Sequence, residues 1–211
     1  MKNFLWIPFF VFFSILSFIL FSQSFANERD KTRWNSKYQE ETYLFGKFPI
    51  KFLYDYVHLL PIGRALDVAM GEGRNGVFLS LKGFDVVGVD ISEEGLRKAQ
   101  KLAKENNVKI ETRVVDLENA RFEKNAYEAV ICSYYMQRDL FPKMKAALKR
   151  GGMILVETYN QDYLKYNSRF KPQWALEENE LLKLLHDFKI IRYQAVDDGK
   201  LAYSSILAQK P

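Results

Sequence analysis

The stretch that most constrains this chain is Ala65-Leu66-Asp67-Val68-Ala69-Met70-Gly71-Glu72-Gly73-Arg74-Asn75-Gly76. It opens as an apolar strand, turns on glycines and runs into the helical sequence Val77-Phe78-Leu79-Ser80-Leu81. Gly71, Gly73 and Gly76 have the spacing of a nucleotide-binding turn, because glycine allows positive φ and lets a ligand approach the main chain. The helix behind the turn aims its free N–H groups at whatever anion sits there. A second apolar run, Val86-Val87-Gly88-Val89, ends on Asp90, the place for a carboxylate that binds both hydroxyls of a ribose. A third, Ile110 to Val115, ends on Asp116-Leu117, an acid able to accept from an adenine amino group.

Asp67 separates the ligand classes that such a turn serves. A dinucleotide site would carry an apolar residue four positions before Gly71. A carboxylate there suits a ligand with positive charge near the turn. S-adenosylmethionine carries a sulfonium and an ammonium group and no pyrophosphate. The glycine spacing alone says little; acids at three successive strand ends say more.

The rest of the chain alternates. Strands are expected at Arg64 to Ala69, Phe84 to Asp90, Val108 to Val115, Tyr127 to Ser133 and Met153 to Thr158. Helices are expected at Pro49 to Leu60, Arg74 to Leu81, from Ser92 as N-cap to about Asn106, and Gln137 to Lys149 with Pro142 in its first turn. This order predicts an α/β fold, a doubly wound, mostly parallel sheet with helices on both faces. Trp34 to Phe48 reads as a helix that either covers the sheet edge or closes over a ligand. Tyr159 to Trp174 has no clear period and the length of a covering loop. Leu176 to Asp187 is expected to be an amphipathic helix, and Lys189 to Val196 with Leu201 to Gln209 a C-terminal antiparallel hairpin.

On these residues the chain resembles the class I S-adenosylmethionine-dependent methyltransferases, and within them the small tellurite-resistance-type branch. The segments that carry the resemblance are Trp34-Asn35-Ser36-Lys37-Tyr38, Leu66 to Asn75, Gly88-Val89-Asp90-Ile91-Ser92, Tyr134 to Phe141, and Gly151-Gly152-Met153 running to Glu157-Thr158-Tyr159. It covers roughly Trp34 to the C-terminus. Ala69 departs from the first glycine of the broader pattern, but alanine still leaves room for a close ligand.

The resemblance implies a Rossmann-like methyltransferase fold and S-adenosyl-L-methionine as cofactor. The residues expected to hold it are Asp67, Ala69, Gly71, Gly73, Arg74, Asn75, Asp90, Ile91, Asp116, Leu117 and Ser133. Asp90 would take the ribose, Asp116 and Leu117 the adenine, and Asp67 with the backbone of Ala69 and Gly71 the methionine end, where Arg74 would pair with the carboxylate. Methyl transfer is mainly a matter of alignment, and no convincing general base stands at the end of the fourth strand. Tyr134, Tyr135 and Arg138 cluster there and, with Tyr38, are the acceptor-pocket residues. That absence favours soft or already ionised acceptors such as thiolates or chalcogen oxyanion products. The expected partner is a small-molecule methyl acceptor. A nicotinamide-dependent oxidoreductase and a non-catalytic, membrane-tethered cofactor-binding domain are the alternatives.

Composition narrows the classes further. The net charge of +5 is spread along the chain with no basic stripe, so no nucleic-acid partner is expected. Cys132 is the only cysteine and lies in an apolar strand, so it reads as core. His58 and His186 belong to no metal-ligand spacing, and no metal is expected. Phe4 to Phe21 is almost continuously apolar, with Lys2 before it and Ser24 and Ala26 after it. Residues 1–26 therefore read as a signal peptide cleaved after Ala26, giving export, or as a membrane anchor. Arg29, Lys31, Arg33 and Lys37 would in the second case keep the domain in the cytoplasm, with membrane contact through residues 4–25. Residues 27–33 read as a linker and 34–211 as the folded domain.

Overall fold

The computed structural model describes residues 28–211. The signal-peptide or anchor reading of 1–26 lies outside the described residues. Among the described residues no helix is long and apolar enough to cross a membrane.

The first helix, α1, holds residues 28–38. The charged stretch read as a linker is thus helical from residue 28 on. The helix expected to continue to Phe48 stops at 38, and turns follow. The Lys98 ammonium takes the carbonyls of Glu40 and Thr42 at 2.8 and 2.7 Å, so those groups are satisfied outside a helix. Next come α2 (Lys51–Tyr56), β1 (Arg64–Val68), α3 (Arg74–Leu81), β2 (Asp85–Asp90), α4 (Glu93–Glu105) and β3 (Glu111–Val114). Ser92 caps α4 as expected, its hydroxyl accepting from the Gly95 amide at 3.1 Å.

The second half runs β4 (Tyr127–Ser133), α5 (Leu140–Ala147), β5 (Leu148–Tyr159), α6 (Glu180–Leu184), β6 (Lys189–Asp197) and β7 (Ala202–Gln209). The amphipathic helix expected from Leu176 is only the five residues of α6. Leu176 instead forms a parallel bridge with Asn160, its N–H donating to the Tyr159 carbonyl and its carbonyl accepting from Gln161. Backbone groups used in that bridge cannot also close a helical turn. Leu176, Leu181 and Leu185 are buried all the same.

The seven strands of the sheet lie in the order β3-β2-β1-β4-β5-β7-β6. The first five are parallel, and β7 and β6 complete the sheet antiparallel, as the hairpin reading expected. Strand residues alternate between two cores. Leu66, Val68, Val87, Val130 and Ile154 face one side, and Ala65, Val86, Ala129, Ile131 and Leu155 the other. The strand order reverses between β1 and β4. In open sheets of this kind the crevice beyond the carboxyl ends of the strands at that reversal is where ligands sit.

Candidate active site

The turn after β1 is held by the acid at the end of β2. Asp90 Oδ2 accepts from the Gly71 amide at 2.8 Å and Oδ1 from the Ser92 amide at 2.9 Å. The turn needs left-handed backbone, with φ +56° at Ala69, +53° at Gly71 and +86° at Gly73. Burial pushes the Asp90 carboxyl above its ordinary range, although the amides of Ser92, Gly71 and Ile91 favour the charged form. Met70 folds back over β2. A Cβ at Gly88 would lie 1.8 Å from its sulfur, so only glycine fits there.

A cleft opens beside this turn. Ala69, Gly71, Arg74, Asn75, Asp90, Ile91, Asp116, Leu117, Ser133, Tyr134, Tyr135 and Tyr38 all line it. They come from α1, the start of α3, the ends of β1, β2 and β4, and the segment after β3. Trp34 and Phe45 close one side, and Asp30 and Glu118 add acids to the rim.

Each lining residue is fixed by neighbours. Tyr38 is buried, stacks on Trp34 with ring centroids 5.5 Å apart, and sets its hydroxyl over Gly71, 2.7 Å from where a Cβ would lie. Asp116 caps a 3-10 turn by accepting from the Glu118 amide at 3.1 Å and the Asn119 side chain at 2.8 Å. Asn75 accepts from the Ile50 amide at 3.0 Å and donates to Ser133 Oγ at 2.8 Å, tying α3 to α2 and β4. Arg74 donates to the Phe45 carbonyl at 2.9 Å, and its guanidinium lies 5.6 Å from the Tyr134 ring centre. Among the described residues it forms no ion pair, which leaves it for a ligand carboxylate.

Three residues named from the sequence lie outside the cleft lining. Asp67 is buried beneath the turn, and its Oδ2 has no hydrogen-bond partner among the described residues. Burial pushes its carboxyl up to about 7, and the Gly76 amide acts the other way. Gly73 serves packing, since a Cβ there would lie 2.6 Å from the Ala99 Cβ of α4. Arg138 is committed elsewhere. It pairs with Glu180 through Nε at 2.6 Å and Nη2 at 2.9 Å, and donates to the carbonyls of Gln173 and Ala175.

Two groups escaped the sequence reading. Glu72, inside the glycine turn, pairs with Lys98 at 2.5 Å in a site nearly closed to solvent. The available signal was a lysine in the apolar stripe of α4, beside Ala99 and Leu102. Glu157, near the end of β5, is buried and accepts from Ser205 Oγ at 2.8 Å. Cys132 is core as expected, its thiol pushed up to about 12 by burial.

S-adenosylmethionine fits this donor set. Acids end β2 and follow β3, and Arg74, which forms no ion pair among the described residues, lines the same cleft. The doubly wound sheet, the glycine turn and these acids define the class I methyltransferase fold. Within it, the chain belongs to the family of the tellurite resistance protein TehB, which matches residues 33–204. The probable S-adenosyl-L-methionine-dependent methyltransferase TehB of Haemophilus influenzae is 27% identical over 166 residues, 70% of this chain and 57% of that protein. The chain thus spans little more than half of that relative's length. The crystal structure of TehB from Haemophilus influenzae aligns with TM-score 0.65 at 20% identity, covering 86% of this chain and 67% of that one. Geranyl diphosphate C-methyltransferase from Streptomyces coelicolor A3(2) aligns with TM-score 0.62 at 20% identity, covering 76% and 79%.

Proposed function

We propose that this chain is an S-adenosylmethionine-dependent methyltransferase acting on a small-molecule acceptor. The observation that carries the reading is that two acids, Asp90 and Asp116, line one cleft together with Arg74, which forms no ion pair among the described residues. Acids suit the hydroxyls and amino group of adenosine, and a guanidinium suits the amino-acid carboxylate. Asp67 lies beneath the turn with one carboxyl oxygen unpartnered among the described residues, and a cationic ligand at the turn would favour its charged form. The geranyl diphosphate methyltransferase of the same fold holds S-adenosyl-L-homocysteine and a small acceptor, which supports the small-molecule part of the reading.

When bound, the cofactor supplies a methyl group made electrophilic by its sulfonium. The protein's task is to position and to exclude water. Tyr38 and Trp34 form a stacked wall over Gly71, and Tyr134 and Tyr135 line the cleft at the end of β4. Alignment of reactants can supply on the order of 7–11 kcal/mol of the barrier.

Calorimetry with S-adenosylmethionine and with NADH tests the cofactor, and S-adenosylhomocysteine release in an acceptor panel tests the reaction. Binding of the first alone, with product from at least one acceptor, is expected; binding of NADH in its place ends this reading. As to location, cleavage after Ala26 would export the domain, and retention of residues 4–25 would anchor it to a membrane from the cytoplasmic side. Intact mass of the protein recovered from each cell fraction distinguishes them.

A further inference from the structure

One ammonium group organises the segment that walls the cleft next to α1. Lys98 sits in the buried face of α4, with Gly95, Ala99 and Leu102, and is 4% exposed. A lysine taken out of water in this way needs partners for its charge. Its Nζ donates to the carbonyls of Glu40 at 2.8 Å and Thr42 at 2.7 Å, and lies 2.5 Å from Glu72 Oε1. It also stands 4.8 Å from the centre of the Tyr43 ring, and the Tyr43 hydroxyl donates to the Lys98 carbonyl at 3.2 Å. An ammonium has three protons, and three oxygens surround this one. Lys98 has none to spare for a ligand, and it does not line the cleft.

The groups that Lys98 holds lead into the cleft, which Glu72 and Phe45 both line. Glu72 Oε2 accepts from the Phe45 amide at 3.4 Å, and the Phe45 carbonyl accepts from Arg74 Nη1 at 2.9 Å. Two rings bracket the Arg74 guanidinium, Phe45 at 5.8 Å and Tyr134 at 5.6 Å. The Tyr134 bracket is fixed by the sheet, because the Tyr134 amide donates to the Glu157 carbonyl at 2.7 Å. Phe45 belongs to no helix or strand and is 43% exposed, so packing alone does not seat it. The neighbouring Lys47–Glu105 pair is exposed, and pairs of that kind hold little. The buried clasp of Lys98 and Glu72, with Tyr43 packed beside it, is left as the anchor.

We infer that Lys98 is a positioning residue for the amino-acid end of the cofactor. It holds Glu72 and the carbonyls of Glu40 and Thr42, these seat Phe45, and Phe45 fixes the Arg74 guanidinium for a ligand carboxylate. The inference rests on the methyltransferase reading above. Lys98 itself touches neither cofactor nor acceptor. A guanidinium already held by a carbonyl loses less freedom when a carboxylate arrives, so its preorganisation appears as affinity. An adenosine ligand without the amino-acid end gives Arg74 nothing to hold and should not sense Lys98.

The test is calorimetry on the cofactor-free full chain with S-adenosylhomocysteine and with 5′-methylthioadenosine, which lacks the amino-acid end. The variants are K98M, E72Q/K98M, R74A and R74A/K98M. K98M leaves the Glu72 charge buried and unpaired, so E72Q/K98M, which removes both charges, is measured beside it. Circular dichroism melts show which variants fold. R74A should bind S-adenosylhomocysteine about 30-fold more weakly, the size of a lost charge-assisted hydrogen bond, and the two Lys98 variants about tenfold more weakly. All three should bind methylthioadenosine within about twofold of wild type, and R74A/K98M should bind S-adenosylhomocysteine within about twofold of R74A. A lysine that merely stabilised the fold would weaken both ligands alike and add its loss to that of R74A.

Equal losses for both ligands, or unchanged S-adenosylhomocysteine affinity in both Lys98 variants, overturn the positioning role. Losses that multiply in R74A/K98M overturn it too, as does R74A binding like wild type. Unfolding of both Lys98 variants assigns Lys98 to stability and also overturns it. In each of these cases, wild-type binding of S-adenosylhomocysteine leaves the cofactor assignment standing. A wild type that binds neither nucleoside removes both.

Discussion

Asp90 Oδ2 accepts the Gly71 amide proton at 2.8 Å, so the end of β2 holds the shape of the turn that ends β1. The same carboxylate faces the cleft and, through Oδ1, fixes the Ser92 amide at the start of α4. One side chain therefore shapes the cofactor cradle and, under the proposed function, also contacts the ribose. D90A should weaken S-adenosylmethionine binding by at least about 100-fold, or ~2.7 kcal/mol. D90N should do almost as badly, because its NH2 group would face one of two amide donors. Calorimetry measures both, and unchanged affinity in D90A would remove Asp90 from the site.

Asp67 makes the stability of this protein depend on pH. Its folded pKa of about 7 exceeds the ordinary carboxyl value of 3.8, so the native state holds the proton over that window. Stability is then lost as pH rises from about 4 to 7, on the order of 4 kcal/mol for this group. D67N carries no charge to bury. The melting temperature of D67N minus that of wild type should grow between pH 4 and 7 and stay level above it. A flat difference would mean that the carboxyl ionises normally.

The Arg138–Glu180 pair clasps the loop between β5 and α6 and does not line the cleft. R138A leaves the nearly buried Glu180 without its partner. Hydrogen bonds to charged groups are worth roughly 1.5–3 kcal/mol, and the half-exposed arginine puts the cost at the lower end. The variant should melt earlier and be cut sooner by protease between residues 160 and 175. Its affinity for S-adenosylmethionine should stay within about twofold, and a large loss would return Arg138 to the site.

Gly73 separates packing from binding in the glycine turn. An alanine there meets Ala99 at 2.6 Å and must hold φ +86°. Overpacking and backbone strain together should cost about 2–4 kcal/mol of stability. Chemical denaturation reads this directly. Stability close to wild type would show that α3 and α4 can move apart.

Much of the site was legible because strand ends and glycine turns are local. Asp90, Asp116 and Gly71 each follow an apolar run or open a helix, so their place at the crevice follows from sequence order once the sheet is parallel. Arg138 could not be placed in that way. It stands near Tyr134 and Tyr135 in sequence, but its partners are Gln173, Ala175 and Glu180, some forty residues later. Glu157 was hidden for a similar reason. It sits in a buried strand next to Thr158, and only the neighbouring strands reveal Ser205 on one side and Tyr134 on the other.

The sequence by itself determined the alternation of strands and helices, the turn at Gly71 and the run of acids at strand ends, because these depend on periodicity and on backbone freedom at glycine. The tertiary structure alone decided that α1 covers the cleft, that Leu176 bridges Asn160 instead of opening a helix, and that Asp67 lies beneath the turn while Tyr134 meets Glu157. Those outcomes turn on which partners satisfy buried polar groups, and the partners come from distant parts of the chain.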